Sequence, residues 1–491
     1  MSKGNIYHGR LLILLISITA FRLLYINLID LAPDEAYYWD ISRILQFSYY
    51  DHPPMEMYLI SFFTKAFGST EFAVRLPSVV IGALVTVIVY LLGKEMFDER
   101  VGFYSALLTN MTLIYSVGGV TATIDTPFAL FWLLALYFGV KALKTGEGKW
   151  WYMKDISLGL GLLSKYIMAL FVPAFIIFLL LSREHRHWLR RKEPYIGSVI
   201  ALLIFSPVIL WNAQNDWVSF KFQLAHGLKI KKKTGIPSLL EYIGSQAAVL
   251  SPFLFIACVW AMVKGLTLWI RGKDWRYLFL MVTSAFVILF FGYSSLRAKV
   301  EGNWPMTAYF TAIIAFVSIN VHCRGQSPLS SLLVFGTALL FTVFAHIQAV
   351  HPIIPIKKDP TDQLHGWREL GEEAEKTLSD AVRAHAMRPD PFIMADSHQL
   401  TAEMAFYIPG QPRVYEVSGV GKFNQYNMRE GPRPGSDGIL IGGPGKEGDS
   451  YINSLFDEIR EIGKVELRRG GKVIKTYSLY ICRNFHGFPY L

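Results

Sequence analysis

Residues 11–29 read LLILLISITAFRLLYINLI and run directly into DLAPDEAYYW, residues 30–39. The first stretch is apolar over 19 residues, within the roughly 17–25 that a helix needs to cross the hydrocarbon core. The second is acidic and aromatic, the composition expected where a chain leaves the bilayer, because Tyr and Trp settle at the interface. Comparable apolar runs recur at Leu76–Leu92, Val101–Val117, Ala122–Lys141, Ile156–Leu163, Tyr166–Leu181, Tyr195–Trp211, Gln246–Val263, Leu278–Gly292, Met306–Val321 and Leu329–Ile347, giving eleven expected spans. The whole chain agrees: 52% of its 491 residues are hydrophobic and 18% charged, where a soluble domain carries about 25% charge. Three cysteines exclude a disulfide scaffold, and 39 Gly with 23 Pro exclude collagen-like or disordered compositions. The fold class is a polytopic α-helical membrane protein.

The net charge of +10 is unevenly placed. From Val350 onward, 18 Lys and Arg face 19 Asp and Glu, whereas the preceding residues hold 30 against 19. The excess sits on loops between apolar runs, so it signals orientation in an anionic membrane rather than nucleic-acid binding. The basic cluster Arg183, Arg186, Arg190, Arg191 and Lys192 marks a cytoplasmic loop and places the N-terminus on the same side. The first run has no small-residue cleavage site, so it is expected to remain as a span. An odd number of crossings then puts the C-terminal region outside the cytoplasm. Residues 1–350 read as a membrane domain with a first outer loop at 30–75, and residues 351–491 as a periplasmic α/β domain. There the spacing predicts a helix over Asp362–Ala386 and strands at Phe392–Ala395, Gly438–Ile441, Val465–Arg469 and Lys472–Cys482, the last two joined by a turn at Gly470-Gly471.

On this topology the conspicuous polar residues gather at the outer surface. Asp34, Glu35, Asp51 and His52 lie in the first loop, Asp125 starts a span, and Lys165 sits at a hairpin tip. His226 and the run Lys229–Lys233 follow a span, as do Arg297, Lys299 and Glu301. Lys and Arg bind phosphate through charge-assisted hydrogen bonds, and a carboxylate can take the proton of an attacking hydroxyl. Tyr and Trp offer stacking faces for sugars. Each residue also has a plainer role: Asp34 and Asp125 as helix caps, Lys165, Lys299 and Arg297 as interfacial anchors, Arg75 as the anchor of the second span. No cofactor is implied; Asp51, His52 and His226 are candidates for a divalent metal, without a ligand spacing that argues for one. No P-loop is present, which fits chemistry on a lipid-linked donor away from nucleotides. A transporter for a lipid-linked sugar is the competing class, and a non-catalytic lipid-binding scaffold a third. A transporter would place its ionisable groups near mid-membrane in broken helices.

Six motifs in order carry a resemblance: Asp34-Glu35-Ala36-Tyr37-Tyr38-Trp39, Tyr50-Asp51-His52-Pro53-Pro54, Arg75-Leu76-Pro77, Ile124-Asp125-Thr126-Pro127, Leu163-Ser164-Lys165-Tyr166 and Lys299-Val300-Glu301-Gly302-Asn303-Trp304-Pro305. Together they resemble a bacterial GT-C glycosyltransferase, of the group that includes protein O-mannosyltransferases and the lipid A aminoarabinose transferase. Asp359-Pro360-Thr361, Gly366-Trp367 and Ala395-Asp396-Ser397 extend the likeness to nearly the whole chain. The resemblance implies an inverting transfer of sugar from a polyprenyl-phosphate donor to a lipid A-like glycolipid, or to a protein, at the periplasmic face of the bacterial inner membrane. By position it implies Asp34 as the catalytic acid–base group, with Glu35 beside it and Asp125 as a second acidic position. Lys165 and Lys299 would hold the carrier phosphate; Arg297 and His226, from their own place at the outer surface, and His52 are further candidates for donor contact. His52 departs from the Lys of the lipid A group and supplies charge only when protonated.

Overall fold

A computed structural model describes residues 3–228, 235–322, 328–388, 390–417 and 423–488. The chain resolves into two compact units. One is built from the segments up to Leu24, Gln46–Glu56 and Arg75–Ala345, the other from Tyr25–Leu45, Met57–Val74 and His346–Leu491. The sequence division at residue 350 assigned the whole first loop to the membrane domain. In the structure, most of that loop packs with the C-terminal region instead.

The first unit is helical because a chain in hydrocarbon must satisfy its own backbone. Among the described residues, seven helices are long and apolar enough to span a bilayer, and two shorter apolar ones occur at Tyr166–Leu181 and Met306–His322. This differs from the eleven expected spans at three places. Val101–Val117 divides at Met111-Thr112 into helices Glu99–Asn110 and Leu113–Gly118. Ile156–Leu163 is the second half of a 15-residue helix, Gly148–Leu162. Gln246–Val263 is broken at Ser251, whose φ of 89° ends helix Ile236–Leu250 and whose hydroxyl accepts from the Leu254 amide of helix Pro252–Gly272. Hydropathy sums over such breaks and does not see them.

Helix Met306–His322 is the core of this unit, buried from Met306 to Ile319 and packed against Pro252–Gly272, Trp275–Ser295 and Glu99–Asn110. Asp125–Thr145 and Gly148–Leu162 form a hairpin closed by Gly146 in the left-handed conformation, φ 71°. The latter helix lies so close to Glu193–Gln214 that a Cβ on Gly159 would meet Ala201 O at 2.9 Å. Not every ionisable group is at a surface. Lys154 and Asp155 form a buried pair at 2.5 Å, and the buried Arg22 guanidinium donates to Asn110 Oδ1 at 3.0 Å.

The second unit contains a five-stranded sheet in the order β2-β1-β3-β5-β4, comprising β1 Phe392–Ala395, β2 Val414–Glu416, β3 Gly438–Gly442, β4 Glu458–Arg469 and β5 Lys472–Arg483. β1 pairs in parallel with β2 and β3, and β5 runs antiparallel to β3 and β4. The expected hairpin turn is present, with Gly470 and Gly471 both at positive φ. The expected helix is shorter, Trp367–Arg383, because Pro360–Leu364 forms a separate 3₁₀ turn. Helix Pro33–Ser42 of the first loop packs on His398–Tyr407. Around it, Leu31 N donates to Tyr407 Oη at 2.6 Å, Trp367 N donates to Asp30 Oδ2 at 3.1 Å, and the Trp39 ring meets Phe406 edge-on at 4.8 Å.

One side chain organises the start of the C-terminal region. Arg469, on β4, donates to the carbonyls of Gln348 and Ala349 at the end of helix Pro328–Val350, and to Thr361 Oγ1 at 2.9 Å and Asp362 Oδ1 at 2.8 Å, with Asp359 Oδ2 at 3.6 Å. A cation there satisfies carbonyls that a helix end leaves open and complements its dipole. Burial works against the Asp359 carboxylate, but hydrogen bonds from Gln348 and Thr361 and the charge of Arg469 outweigh it and hold its pKa below the usual value. A depressed carboxyl contributes stability above its unfolded pKa and loses it as pH falls through the folded one. We therefore expect this clamp to be intact at neutral pH and to weaken below about pH 4. Arg469→Ala should cost about 3 kcal/mol, since it strands a buried carboxylate. Tryptophan-fluorescence melts should show it as a midpoint lowered by roughly 6–12 °C. Arg469→Lys should recover little, as an ammonium lacks the planar fork.

Candidate active site

In the first unit, Asp125 is the first residue of helix Asp125–Thr145. Its neighbour Thr126 fixes that end by donating to Gly118 O at 2.9 Å. Lys165 follows helix Gly148–Leu162, with its backbone extended at φ −156° and ψ 133°. The Lys165 amide still bonds Gly161 O at 2.9 Å, so the turn is tight and the side chain swings out of the helix line. Lys165 Nζ then lies 2.5 Å from Asp125 Oδ1, and Asn303 Nδ2 donates to Asp125 Oδ2 at 2.5 Å. The two charged side chains are only 11% and 12% exposed, and the ammonium also stands 5.9 Å from the Phe128 ring centroid. Asn303 is held by a turn in which Trp304 N bonds Glu301 O and Met306 N bonds Asn303 O. Below it, Gln246 links Gly302 O to the Tyr309 hydroxyl.

The segment Gln46–Glu56 docks on the same turn. Met55 N donates to Leu163 O at 3.0 Å, Ser48 Oγ is 3.4 Å from Tyr166 Oη, and Gln223 Nε2 donates to Asp51 O at 2.5 Å. Asp51 and His52 are carried by this docked segment, with His52 Nε2 3.9 Å from Asp51 Oδ2. Among the described residues, no group of three or more His, Cys, Asp or Glu side chains is arranged to hold a metal ion. His226 is carried by the last turn of helix Val218–Leu228, but its side chain lies outside the described residues, as does the run Lys229–Lys233.

Other expected donor contacts are arranged differently. Lys299 and Glu301 form a 2.7 Å pair, each side chain nearly half exposed. Arg297 is exposed, its guanidinium 4.9 Å from the Tyr293 ring centroid. Arg75, read as an interfacial anchor, is fully buried in helix Glu71–Met96, and Glu56 is buried too. Full burial of a charge near a membrane is costly and points away from simple anchoring.

Asp34 and Glu35 belong to the second unit, in the first turn of helix Pro33–Ser42. Glu35 is fully buried, and its Oε2 accepts from the Ala32 amide at 2.8 Å, the reciprocal half of a capping box. That bond fixes the start of the helix and leaves Asp34, the preceding residue, on its exposed side. Asn303 stands in the sequence among the polar residues that follow the ninth span, with no role of its own assigned. Its polarity just before an uncharged, mainly apolar span is the available signal.

Known proteins resemble the chain in both sequence and fold. A family model described as dolichyl-phosphate-mannose-protein mannosyltransferase matches residues 51–211. A lipid A galacturonosyltransferase, RgtD, of Rhizobium johnstonii is 26% identical over 431 residues, 85% of this chain and 87% of that protein. An undecaprenyl phosphate-alpha-4-amino-4-deoxy-L-arabinose arabinosyl transferase of Proteus mirabilis is 22% identical over 68% of this chain and 63% of its own length. Among solved structures, ArnT from Cupriavidus metallidurans bound to undecaprenyl phosphate superposes with a TM-score of 0.65 at 16% identity, over 96% of this chain and 97% of that one. An oligosaccharyltransferase of Archaeoglobus fulgidus superposes with a TM-score of 0.54 at 11% identity, over 89% and 70%. In fold, then, the chain is similar to ArnT over nearly its whole length, and in sequence it is similar to lipid A-modifying sugar transferases and, over residues 51–211, to the mannosyltransferase family model.

Proposed function

We propose that this chain transfers a sugar from a polyprenyl-phosphate carrier to lipid A or a closely related envelope glycolipid. It would do so at the periplasmic face of the bacterial inner membrane, with the N-terminus cytoplasmic and the C-terminal region periplasmic. The relatives named for lipid A and undecaprenyl phosphate support the substrate classes. The observation that carries the reading is the buried Lys165–Asp125–Asn303 cluster at the ends of apolar helices. A membrane protein keeps such a pair only where it is structurally matched or functional.

In the reaction, the acceptor oxygen forms a bond to the anomeric carbon as the bond from that carbon to the phosphate oxygen breaks. The electron pair leaves with the polyprenyl phosphate. Cations near that phosphate lower the barrier by neutralising charge as it develops. Lys165 is aimed by Asp125, whose two oxygens are each engaged, so Asp125 acts here as a positioning residue rather than as a base. Lys299 and Arg297, exposed and basic, would meet the carrier as it arrives, and His52 stands on the segment docked beside Lys165. Asp34 would take the proton of an attacking hydroxyl. If the attacking group is an ionised phosphate no proton moves, and Asp34 orients it instead. The family-model match, whose description names a protein acceptor, makes protein O-glycosylation the second reading.

Purified protein in detergent, given a synthetic polyprenyl-phosphate sugar with either lipid A or a Ser/Thr-rich peptide, should glycosylate lipid A as read by mass spectrometry. Asp34→Asn should lower kcat by at least about 10²-fold without changing the melting curve. Peptide glycosylation in place of lipid A would install the second reading. Movement of the carrier across vesicles with no new covalent product would replace both. Running the assay with EDTA and with added divalent ions tests a metal at Asp51 and His52. For the buried pair, Lys165→Met should destabilise the protein by about 3–5 kcal/mol by leaving Asp125 unmatched. Adding Asp125→Asn should restore part of that loss, on the order of 1–3 kcal/mol in a double-mutant cycle, while transfer stays impaired.

A further inference from the structure

The second unit contains an open cleft of about 330 Å³, counting the space at its solvent-facing mouth. Much of that space is open to solvent, so the cleft is a surface groove rather than an enclosed cavity. Strand β2, the short 3₁₀ turn Gln425–Met428 and the chain just after it form its walls, so none of the candidate groups discussed above lines it. We propose, on the reading of function just given, that this cleft is a saccharide-binding subsite that seats the sugar part of the glycolipid acceptor.

Its lining has the chemistry that hydroxyl-rich rings select. Arg413 stands over Tyr415 with its guanidinium carbon 4.8 Å from the ring centroid, and Arg429 stands over Tyr426 at 5.1 Å. Glu416 and Asn427 add a carboxylate and a carboxamide. Tyr426 is buried beneath Arg429, whereas Tyr415 is half-buried and keeps part of its ring at the cleft, where it can meet the C–H face of a sugar while the guanidinium, carboxylate and amide groups around it exchange hydrogen bonds with the hydroxyls. These polar groups are set rather than loose. Glu416 Oε2 accepts from Asn424 Nδ2 at 2.7 Å, Asn427 Oδ1 accepts from Asn424 N at 2.8 Å, and Arg413 donates to Glu430 O at 2.5 Å. A preorganised polar lining costs less to order when ligand binds.

The charge balance argues against a phosphate as the primary ligand. Arg413 shares the lining with the carboxylates of Glu416 and Glu430, and Arg429 is neutralised by Asp40 at 2.7 Å. A ring bearing hydroxyls fits this near-neutral cleft better than a doubly charged group, so the polyprenyl phosphate is not its occupant.

The same ion pair connects the cleft to the helix of the proposed base. Arg429 donates through NH1 to Asp40 Oδ2 and through NH2 to Asp40 O at 3.0 Å, and both side chains are largely buried, 13% and 4% exposed. Asp40 lies on helix Pro33–Ser42, six residues after Asp34. Six residues amount to about 9 Å along a helix axis. A wall of the cleft and the residue proposed to activate the acceptor are thus fastened to one short helix. A saccharide held in the cleft would be positioned with respect to Asp34 by two hydrogen bonds and about 1.7 turns of helix.

The test uses the full-length protein in detergent, with a water-soluble, deacylated lipid A saccharide as the probe. Saturation-transfer NMR should show contact between probe and wild-type protein, lost in Tyr415→Ala and weakened in Arg413→Ala, whose side chain is exposed and whose removal leaves folding intact. In the transfer assay, Tyr415→Ala should raise KM for the acceptor about tenfold, the equivalent of about 1.4 kcal/mol, with kcat and donor KM unchanged. Soluble saccharide should compete with acceptor and not with donor. Unchanged acceptor KM in both variants, with wild-type transfer intact, would remove the subsite and leave the proposed function standing. Failure of the wild type to glycosylate any lipid A would overturn the function. In that case the NMR contact decides the subsite alone, its loss in Tyr415→Ala keeping it and its absence from wild type ending it.

Discussion

A charge in hydrocarbon must be matched where it lies, because no water is present to solvate it. That constraint shapes the candidate site. Lys165 and Asp125 come from different helices, 40 positions apart, yet their side chains meet at 2.5 Å and Asn303 closes the remaining carboxylate oxygen. To bring them together, the chain needs a tight departure from helix Gly148–Leu162 at Ser164, an anchored start to helix Asp125–Thr145, and a turn ahead of the most deeply buried helix, Met306–His322. Each of these local features is otherwise unremarkable. The electrostatic match gives them a common purpose, and it fixes the ammonium by a charge-assisted hydrogen bond rather than leaving it on a flexible stem.

The first outer loop serves both compact units. Gln46–Glu56, which carries Asp51 and His52, packs with the membrane helices and bonds Leu163, whereas Tyr25–Leu45, which carries Asp34, packs with the C-terminal region through helix His398–Tyr407. Within the second unit, helix Pro33–Ser42 is fixed at its start by Glu35 and further along by Asp40, which takes both Arg43 and Arg429. Two neighbouring acids thus have separate tasks. Glu35 is spent on the backbone, and Asp34 lies on the exposed side of the same turn.

Much of the architecture was legible because its causes are local. Period and length identify apolar helices, and β1 and the Gly470-Gly471 turn follow from strand pattern and positive-φ residues. Strand β2 was missed because three residues carry too little pattern to stand out beside a loop. The breaks at Met111-Thr112 and Ser251 were missed for the opposite reason: residues on both sides are apolar, so composition runs smoothly through a change of backbone direction. The outer-face reading of the polar residues also passed over Arg22 and the Lys154–Asp155 pair, buried charges that only packing reveals.

By itself the sequence determined that the chain crosses a membrane many times, that a mixed α/β region follows, and which acids and bases deserved scrutiny. These are properties of composition, period and motif order, and each is carried by residues close together in the chain. The tertiary structure decided which of those groups touch. It paired Lys165 with Asp125, spent Glu35 on a helix start, turned Lys299 toward Glu301, and placed Arg429 between a cleft and the helix of Asp34. Such pairings depend on side chains from distant segments arriving within hydrogen-bonding distance, and helix breaks, close glycine contacts and buried charge matching set that distance only once the chain has packed.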